Sequence, residues 1–158
     1  MPVTAFDHVA LPTADAERFL RFYKALGFGT QHETEWRSGA FPIFSIVFGD
    51  NKINVHPEAL VRRARGHPGF LRGPTAEPGC GDLCFVWAGG IGALLELLEQ
   101  TGTRAIEGPV SRVGGRGGGS GLGISVYVRD PDDNLLEFIS YDPDDVARWR
   151  DAPGAVSR

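Results

Sequence analysis

Apolar residues recur along this chain at the spacing of helices in two places about 75 residues apart. Two sets share the i, i+3, i+4, i+7 pattern of a single helix face: Phe19, Phe22, Tyr23 and Leu26, and then Ile91, Leu94, Leu95 and Leu98. Gly27 and Gly102 follow the two sets. A glycine just past the last apolar residue ends a helix because it adopts the left-handed conformation without a Cβ clash. The pattern therefore predicts two similar helices.

Short strand-like runs precede and follow both helices at matching positions. Residues 6–11 precede the first helix and residues 80–85 the second, and a turn followed by an alternating run ends each half at 50–55 and 133–138. The offset between the halves grows from 74 to 83 residues, which indicates insertions in the second half, chiefly its glycine stretch. We predict an α+β fold made of two copies of one strand-helix-strands unit.

The repeat also predicts the organisation of the chain. We expect a single domain over residues 1–158, with a first module at about 4–57, a linker at about 58–79, a second module at about 80–142 and a tail at 143–158. The chain is 42% hydrophobic, so it can bury a substantial core, whereas either half alone would be marginal at its size. The two halves are therefore expected to depend on each other.

Charge and composition exclude several classes of partner. The net charge is −4 and the pI about 5.5, so no overall basic field attracts nucleic acid or an anionic membrane. No apolar run approaches the ~20 residues of a spanning helix, and residues 1–4 lack the features of a signal peptide. We expect a cytoplasmic protein. Three residues separate Cys80 from Cys84, which suits neither a metal pair nor a disulfide framework, and two free thiols are predicted.

Two irregular segments each leave two interpretations open. Residues 57–79 are rich in Pro, Gly and Arg, with a short helical turn expected near 59–64. The only basic cluster of the chain lies here, at Arg62, Arg63, Arg65 and Arg72. It is either a solvated connector or a lip that attracts an anionic substrate. Residues 114–123 hold seven glycines without a phosphate-binding motif, and they form either a flap over a cleft or a surface loop.

Polar residues within the strand-like runs are the candidates for chemistry. Because side chains alternate along a strand, Asn54 and His56 share the face opposite Ile53 and Val55. Glu137 lies in the middle of a strongly apolar run, where a carboxylate is costly unless it is paired, hydrogen-bonded or bound to a metal. His8 also lies in an apolar run, and a lone histidine in such a run is usually a satisfied core residue.

The duplication changes the interpretation of these residues. His8 and Asp82 occupy equivalent places in the two modules, and pairing of the modules is expected to gather them with the Asn54/His56 face and Glu137. Two imidazoles and one or two carboxylates, with one coordination position open, suit Fe(II), Mn(II), Ni(II), Co(II) or Zn(II). A site for one divalent metal ion is predicted.

Three segments resemble the vicinal oxygen chelate superfamily, which includes glyoxalase I, extradiol dioxygenases and bleomycin resistance proteins. They are Asp7-His8-Val9-Ala10-Leu11, the helix from Phe19 to Phe28, and Asp130-Pro131-Asp132-Asp133-Asn134-Leu135-Leu136-Glu137-Phe138. The last is the most specific. The likeness covers roughly residues 4–142 and is strongest to small glyoxalase-domain-containing proteins. It implies paired βαβββ modules that form a curved mixed sheet around a metal-binding cleft, and a homodimer.

The resemblance also implies roles for individual residues. His8 and Glu137 match the first-strand histidine and last-strand glutamate ligands of the superfamily. Asp82 stands where many members have histidine, and Asn54 stands where glyoxalase I has glutamate. Since an amide is a poor ligand, we expect His56 to coordinate together with His8, Asp82 and Glu137. The expected bases are Glu137 and Asp82, and the expected substrate contacts are Asn54, Arg62, Arg63, Phe48 and Trp87.

Three functions remain open at this point. The first is a metal-dependent glyoxalase/isomerase-like or lyase-like enzyme, whose small substrate binds the metal through adjacent oxygens. The second is an extradiol-type dioxygenase with Fe(II) held by His8, His56 and Glu137. The third is a metal-free antibiotic-binding resistance protein. Its cleft would need aromatic walls, for which five residues are available: Trp36, Phe41, Phe44, Phe48 and Trp87.

Overall fold

The computed structural model describes residues 2–67 and 69–152, and the chain divides into two compact units. The first unit comprises Met1–Gly81 with Pro131–Asp133, and the second comprises Asp82–Asp130 with Asn134–Arg158. The elements follow in this order: β1 (His8–Pro12), α1 (Ala16–Ala25), β2 (Gly29–Gln31), α2 (Glu33–Arg37), β3 (Phe44–Phe48), β4 (Asn51–His56), α3 (Glu58–Ala64), β5 (Asp82–Val86), α4 (Ile91–Gln100), β6 (Ala105–Gly114), α5 (Arg116–Gly119), β7 (Gly121–Arg129), β8 (Leu135–Ser140) and α6 (Pro143–Trp149).

Each unit contains one four-stranded mixed sheet, and the strand order is the same in both. The first sheet has the order β1-β4-β3-β2 and the second has the order β5-β8-β7-β6. In each sheet the first and last strands of the unit pair in parallel and the other pairs are antiparallel. A parallel pair needs a long crossover, which the intervening helix and strands supply. The α+β fold with two repeated modules is confirmed.

The register of the parallel pairs is also repeated. Ala10 pairs with Asn54 in the first sheet, and Cys84 pairs with Glu137 in the second. The first members of these pairs are 74 residues apart and the second members 83, the two offsets found in the sequence. Asn54 and Glu137 therefore occupy the same place in their sheets, as the repeat alignment predicted.

The alternating pattern of β4 and β8 sorts their side chains into a buried and a more open face. Ile53, Val55 and Leu136 are fully buried, whereas Asn54 and Glu137 lie on the opposite faces and are only partly covered. Helices α1 and α4 contribute their apolar faces to the cores of their own units. Complete burial of one large aliphatic side chain contributes roughly 1.5–3 kcal/mol. A register slip of one residue would reverse the two faces and is strongly disfavoured.

The glycine that ends α1 is the one that the sequence predicts, whereas the N-terminal cap of α4 comes from a residue far away in the sequence. Asp15 accepts a hydrogen bond from the Arg18 backbone N–H at 2.9 Å, and Gly27 adopts a positive φ of 87° beyond the last turn. Helix α4 begins after Gly90, which has no side chain to cap it. Both carboxylate oxygens of Asp145 instead accept from the Ile91 N–H at 3.1 Å. The last helix thus supplies the cap of an earlier one.

The most specific motif of the sequence forms a buried turn between β7 and β8. Asp130 accepts hydrogen bonds from the backbone N–H of Asn134 at 2.9 Å and from its side-chain amide at 2.8 Å. Both side chains are buried, at 5% and 1% exposure. A buried carboxylate needs such donors. This pair explains why the turn requires an aspartate and an asparagine four residues apart.

Several elements differ from the sequence-based expectation. The short helix expected near 59–64 is present as α3, but α2 and α6 were not predicted. Helix α6 lies within the region expected to be a polar tail, although Asp142 followed by Pro143 is a recognisable helix start. The end of that tail, residues 153–158, lies outside the described residues. The glycine stretch at 114–123 forms the β6–β7 hairpin connection with α5. No helix in the described ranges is both long and apolar enough to span a membrane.

We expect Asp145→Ala to lower the free energy of unfolding by roughly 1–3 kcal/mol. The substitution removes the acceptor for the Ile91 N–H and also for the Ser140 hydroxyl, which donates to Asp145 at 2.6 Å. Urea denaturation followed by circular dichroism measures the loss. Asp144→Ala, at the exposed neighbouring position, is the control and should change stability by less than ~0.5 kcal/mol. Equal effects of the two substitutions would contradict the capping role.

Candidate functional site

Glu137 is the central polar residue on the open face of the second sheet. It lies in β8 between Leu136 and Phe138, whose side chains point into the core. The Ser125 hydroxyl on β7 donates to Glu137 Oε1 at 2.5 Å. This bond partly satisfies the carboxylate and restricts its orientation. A carboxylate in an apolar strand is costly without partners, and the buried Ser125 stabilises this one by its hydrogen bond.

Two further side chains reach the same carboxylate from the neighbouring strands. Cys84 on β5 and Tyr127 on β7 are the direct cross-strand partners of Glu137, so their side chains lie beside its carboxylate. Burial, the charge of Glu137 and that of Asp82 raise the pKa of the Cys84 thiol to about 12. Burial and Glu137 also raise the pKa of Tyr127. Both groups therefore keep their protons at neutral pH.

An arginine extends this group of residues towards the edge strand β6. Arg112 Nε donates to the Tyr127 hydroxyl at 3.1 Å, and its guanidinium lies 5.5 Å from the centre of the Tyr127 ring. Arg112 Nη2 donates to Glu107 Oε1 at 2.6 Å. Hydrogen bonds thus connect Glu107 with Arg112 and Arg112 with Tyr127, which lies directly across from Glu137. We call Cys84, Arg112, Ser125, Tyr127 and Glu137 the carboxylate cluster.

The equivalent place in the first sheet also has a serine hydrogen bond, but no charge. Asn54 accepts a hydrogen bond from the Ser45 hydroxyl at 2.8 Å, as Glu137 does from Ser125. Ala10 stands across from Asn54 where Cys84 stands across from Glu137. An amide neither takes up a proton at neutral pH nor attracts a cation strongly. Of these two matched positions, only the one in the second unit can perform acid–base chemistry.

His8 lies at the start of β1 and has a feature typical of metal-binding histidines. Its side chain is 45% exposed, so it is not a core residue, and its Nδ1 lies 2.5 Å from Asp7 Oδ1. A carboxylate at one ring nitrogen orients the imidazole and leaves the other nitrogen to act as a ligand. The donor chemistry of His8 by itself therefore fits a divalent metal ion.

The surroundings of His56 fit a cation less well. Its imidazole lines a small cavity of the first unit together with Arg72. Burial, followed by the charge of Arg72, lowers the pKa of His56. The guanidinium that opposes protonation of His56 would also oppose a divalent ion at the same ring. The role of His56 as a ligand stays a prediction, and this electrostatic argument runs against it.

The remaining predicted ligands do not form a recognisable metal centre in the described ranges. Asp82 begins β5 and is exposed. Across residues 2–67 and 69–152, no group of three or more His, Cys, Asp or Glu side chains is arranged to hold a metal ion. The convergence of His8, His56, Asp82 and Glu137 on one ion stays a prediction.

The predicted substrate contacts have local partners in their own units. Arg62 and Arg63 are exposed on α3, and the Arg63 guanidinium lies 6.0 Å from the centre of the Phe70 ring. Phe48 packs edge-on against Phe28, and the Trp87 indole donates to the Gly90 carbonyl at 3.2 Å. The substrate roles of Asn54, Arg62, Arg63, Phe48 and Trp87 stay predictions. Phe44 is fully buried, so of the candidate aromatic walls this one belongs to the core.

Sequence reasoning missed Ser125, Tyr127 and Arg112. The signal for the first two was present in β7, where Ser125 and Tyr127 alternate with the apolar Ile124, Val126 and Val128. That alternation places the two hydroxyl groups on one face of the strand. No comparable pattern marks Arg112, because its role depends on the pairing of β6 with β7.

A duplicated βαβββ architecture with a glutamate on the last strand defines a class of small-molecule-binding proteins and metalloenzymes. A sequence profile of the Glyoxalase/Bleomycin resistance protein/Dioxygenase superfamily matches residues 5–138. The chain therefore belongs to this superfamily, as the motifs predicted.

Known relatives agree with this assignment. A glyoxalase domain-containing protein of Mycosarcoma maydis is 32% identical over 148 residues, covering 89% of this chain and 70% of the relative. A virulence protein of Salmonella typhimurium is 34% identical over 142 residues, covering 89% of this chain and 87% of its own. The crystal structure of that virulence protein has a TM-score of 0.70 and covers 90% of this chain and all of its own. An antibiotic-binding protein from a Streptomyces species is 17% identical over 89% of this chain and 98% of its own, and its TM-score of 0.60 shows the shared fold alone.

We expect Cys84 to react with iodoacetamide more slowly than Cys80 by roughly tenfold or more at pH 8. Both cysteines are exposed free thiols, and partial burial together with Glu137 raises the pKa of the Cys84 thiol to about 12. The thiolate is the reactive form, so a raised pKa lowers the rate until the pH approaches that value. Mass spectrometry of alkylated peptides as a function of pH measures both rates.

The variant Glu137→Gln provides the internal control for this experiment. It removes the second cause of the raised pKa and keeps the first, which is burial. Alkylation of Cys84 should therefore accelerate in the variant, while that of Cys80 should stay unchanged. Equal rates for the two cysteines in the unmodified protein would contradict the described environment of Cys84.

Proposed function

We propose that this protein is an enzyme of the glyoxalase/isomerase or lyase type, in which Glu137 moves a proton on a small oxygen-rich substrate. The observation that carries the proposal is the hydrogen bond from Ser125 to Glu137, which holds a carboxylate on the open face of a sheet. A general base must be positioned as well as basic, and a carboxylate with one restricted oxygen meets the first requirement. Membership of the superfamily supports the same class of chemistry.

The other members of the carboxylate cluster have chemical roles in this proposal. Tyr127 keeps its proton because burial and Glu137 raise its pKa, so it remains a hydrogen-bond donor throughout the neutral range. Arg112 bonds to the Tyr127 hydroxyl and adds a positive charge behind it. A donor supported by a cation is suited to stabilise negative charge that develops on a substrate oxygen. We propose that Tyr127 and Arg112 act together in this way.

We also propose that the protein binds a divalent metal ion, because it has side chains with suitable ligand chemistry. His8 and Glu137 would hold it, and Asp82 is the further candidate. When bound, such an ion supplies Lewis-acid stabilisation to adjacent substrate oxygens. Asp7 orients the His8 ring, and Ser125 orients the Glu137 carboxylate. These two oriented donors support a metal ion of the Fe, Mn, Ni, Co or Zn type.

A metal-free binding protein is the second candidate, and the neutral pair Ser45 and Asn54 favours it. A protein that only sequesters a ligand needs hydrogen-bonding groups rather than a second carboxylate at this position. The chain shares its fold with an antibiotic-binding protein, and that likeness supports ligand binding as a possible function for this fold. The extradiol-type dioxygenase remains a third candidate, and it requires iron together with oxygen consumption.

We expect the purified protein to bind roughly one divalent ion per chain and to convert the hemithioacetal formed from a 2-oxoaldehyde and a thiol. Glu137→Gln should lower turnover by roughly 10²–10⁴-fold, because the amide cannot accept the substrate proton. The same substitution should also weaken ion binding, because it removes a charged ligand. Elemental analysis, calorimetric titration with Mn²⁺, Ni²⁺ and Zn²⁺, and absorbance of the thioester product are the measurements.

Glu99→Gln is the matched control, since Glu99 lies exposed on α4 away from the carboxylate cluster. It should retain both ion binding and turnover. Iron content with oxygen uptake on catechols would instead support the dioxygenase. Absence of ion binding, together with tight binding of a member of an antibiotic panel, would refute the enzymatic proposal.

The homodimer implied by the superfamily is also proposed. The outer strands of the two sheet orders are β1, β2, β5 and β6, and β6, with 10 residues, is the longest of them. A long edge strand is a ready site for pairing with a second copy. Light scattering coupled to gel filtration should give twice the 17.1 kDa chain mass. A mass of one chain across a range of micromolar concentrations would exclude the dimer.

A further inference from the structure

The first unit contains a small cavity, and none of the residues that line it belongs to the carboxylate cluster. Its walls come from β1, β4, α3 and residues 70–76. Most of its lining is apolar, including Leu60, Val61, Ala64 and Phe70. Two polar side chains, His56 and Arg72, interrupt these walls. An apolar chamber with a few polar groups is the usual form of a small-ligand site.

The polar side chains of the cavity favour an anion over a cation. Arg72 is only 13% exposed, and its Nη2 pairs with Glu77 at 3.3 Å. Glu77 pairs also with Arg65, so this group of three carries two positive charges and one negative charge. The excess positive charge lies next to an apolar chamber, where screening by water is weak. His56 adds an imidazole that can donate a hydrogen bond.

The volume of the cavity limits the size of the ligand. The cavity measures about 90 Å³. A cavity of about 150 Å³ holds benzene, which has six non-hydrogen atoms, so in proportion this cavity encloses about three or four. A short hydrocarbon chain therefore fits inside it, with its carboxylate at the polar wall formed by Arg72 and His56. A branched or linear monocarboxylate with four or five carbons meets the limits of size, apolarity and charge together.

We propose that this cavity is a binding site for a short-chain monocarboxylate, with the carboxylate at Arg72 and His56 and the hydrocarbon between α3 and Phe70. The proposal does not depend on the chemistry of Glu137, because every residue that carries it lies in the first unit. It also offers a role for His56 other than metal coordination. The excess positive charge that disfavours a divalent ion at this imidazole favours an anion there.

Isovalerate and its uncharged amide, isovaleramide, are suitable probes because they share one shape and differ in charge. Titration of each into the ¹⁵N-labelled full chain, followed by amide chemical shifts of β4 and α3, measures binding at this cavity. We expect isovalerate to bind at least about tenfold more tightly than isovaleramide, the ratio that ~1.4 kcal/mol of charge recognition produces. Equal affinities for the two probes would overturn the anion assignment.

Two substitutions with a matched control test the location. Arg72→Met should weaken isovalerate by roughly tenfold or more and leave isovaleramide nearly unchanged. Arg21→Met removes the same charge from an exposed position of α1 outside the cavity and should retain wild-type affinity. Equal losses in the two variants would mean that general positive charge attracts the anion, and would refute the site.

The variant Ala64→Leu keeps the charge and fills the cavity. We expect it to abolish binding of isovalerate and isovaleramide alike, while the thermal transition and the shifts of the second unit stay close to wild type. If Arg72→Met perturbs residues 70–76, this second variant still tests the cavity. Undiminished binding in Ala64→Leu would refute the proposal. Since none of these measurements uses turnover, failure of the proposed enzymatic function would leave them interpretable.

Discussion

The parallel pairing between the first and last strands of each unit is the interaction on which the rest of the structure depends. It sets Ala10 opposite Asn54 and Cys84 opposite Glu137 with one register. Because side chains alternate, this register also decides which residues enter the core and which remain on the open face. A slip by one residue would bury the carboxylate and expose the apolar residues beside it. The fold and the candidate site thus have the same physical origin.

Because the unit is duplicated, each position in one sheet has an equivalent position in the other. A difference in charge between two equivalent positions decides which of them can perform acid–base chemistry. Asn54 and Glu137 each accept a hydrogen bond from a serine on a neighbouring strand, yet only Glu137 is charged. Around the charged member, Tyr127 and Cys84 retain their protons, and Arg112 supports Tyr127. The neutral member has no such surroundings. The two units of this protein share an architecture but differ in what they can do.

The first unit has a different chemical character because of its linker. Helix α3 and the following residues enclose a small apolar chamber, and Arg72 places a positive charge at its wall. Pairing of Glu77 with Arg65 and Arg72 leaves one positive charge in excess. The four arginines of the basic cluster identified in the sequence therefore have two different environments. Arg65 and Arg72 are held by a carboxylate, whereas Arg62 and Arg63 remain exposed on the helix.

The sequence alone determined the duplicated fold and singled out Glu137 as a candidate for chemistry, because periodicity and apolar context are local properties of the chain. Helix α1 with its Asp15 cap, the faces of β4 and the turn before β8 were all predictable for that reason. Only the tertiary structure decided the partners of Glu137, the capping of α4 by Asp145 and the meeting of His56 with Arg72. These contacts join residues that are 10 to 54 positions apart. Their formation depends on strand pairing and helix docking, which no local pattern of residues specifies.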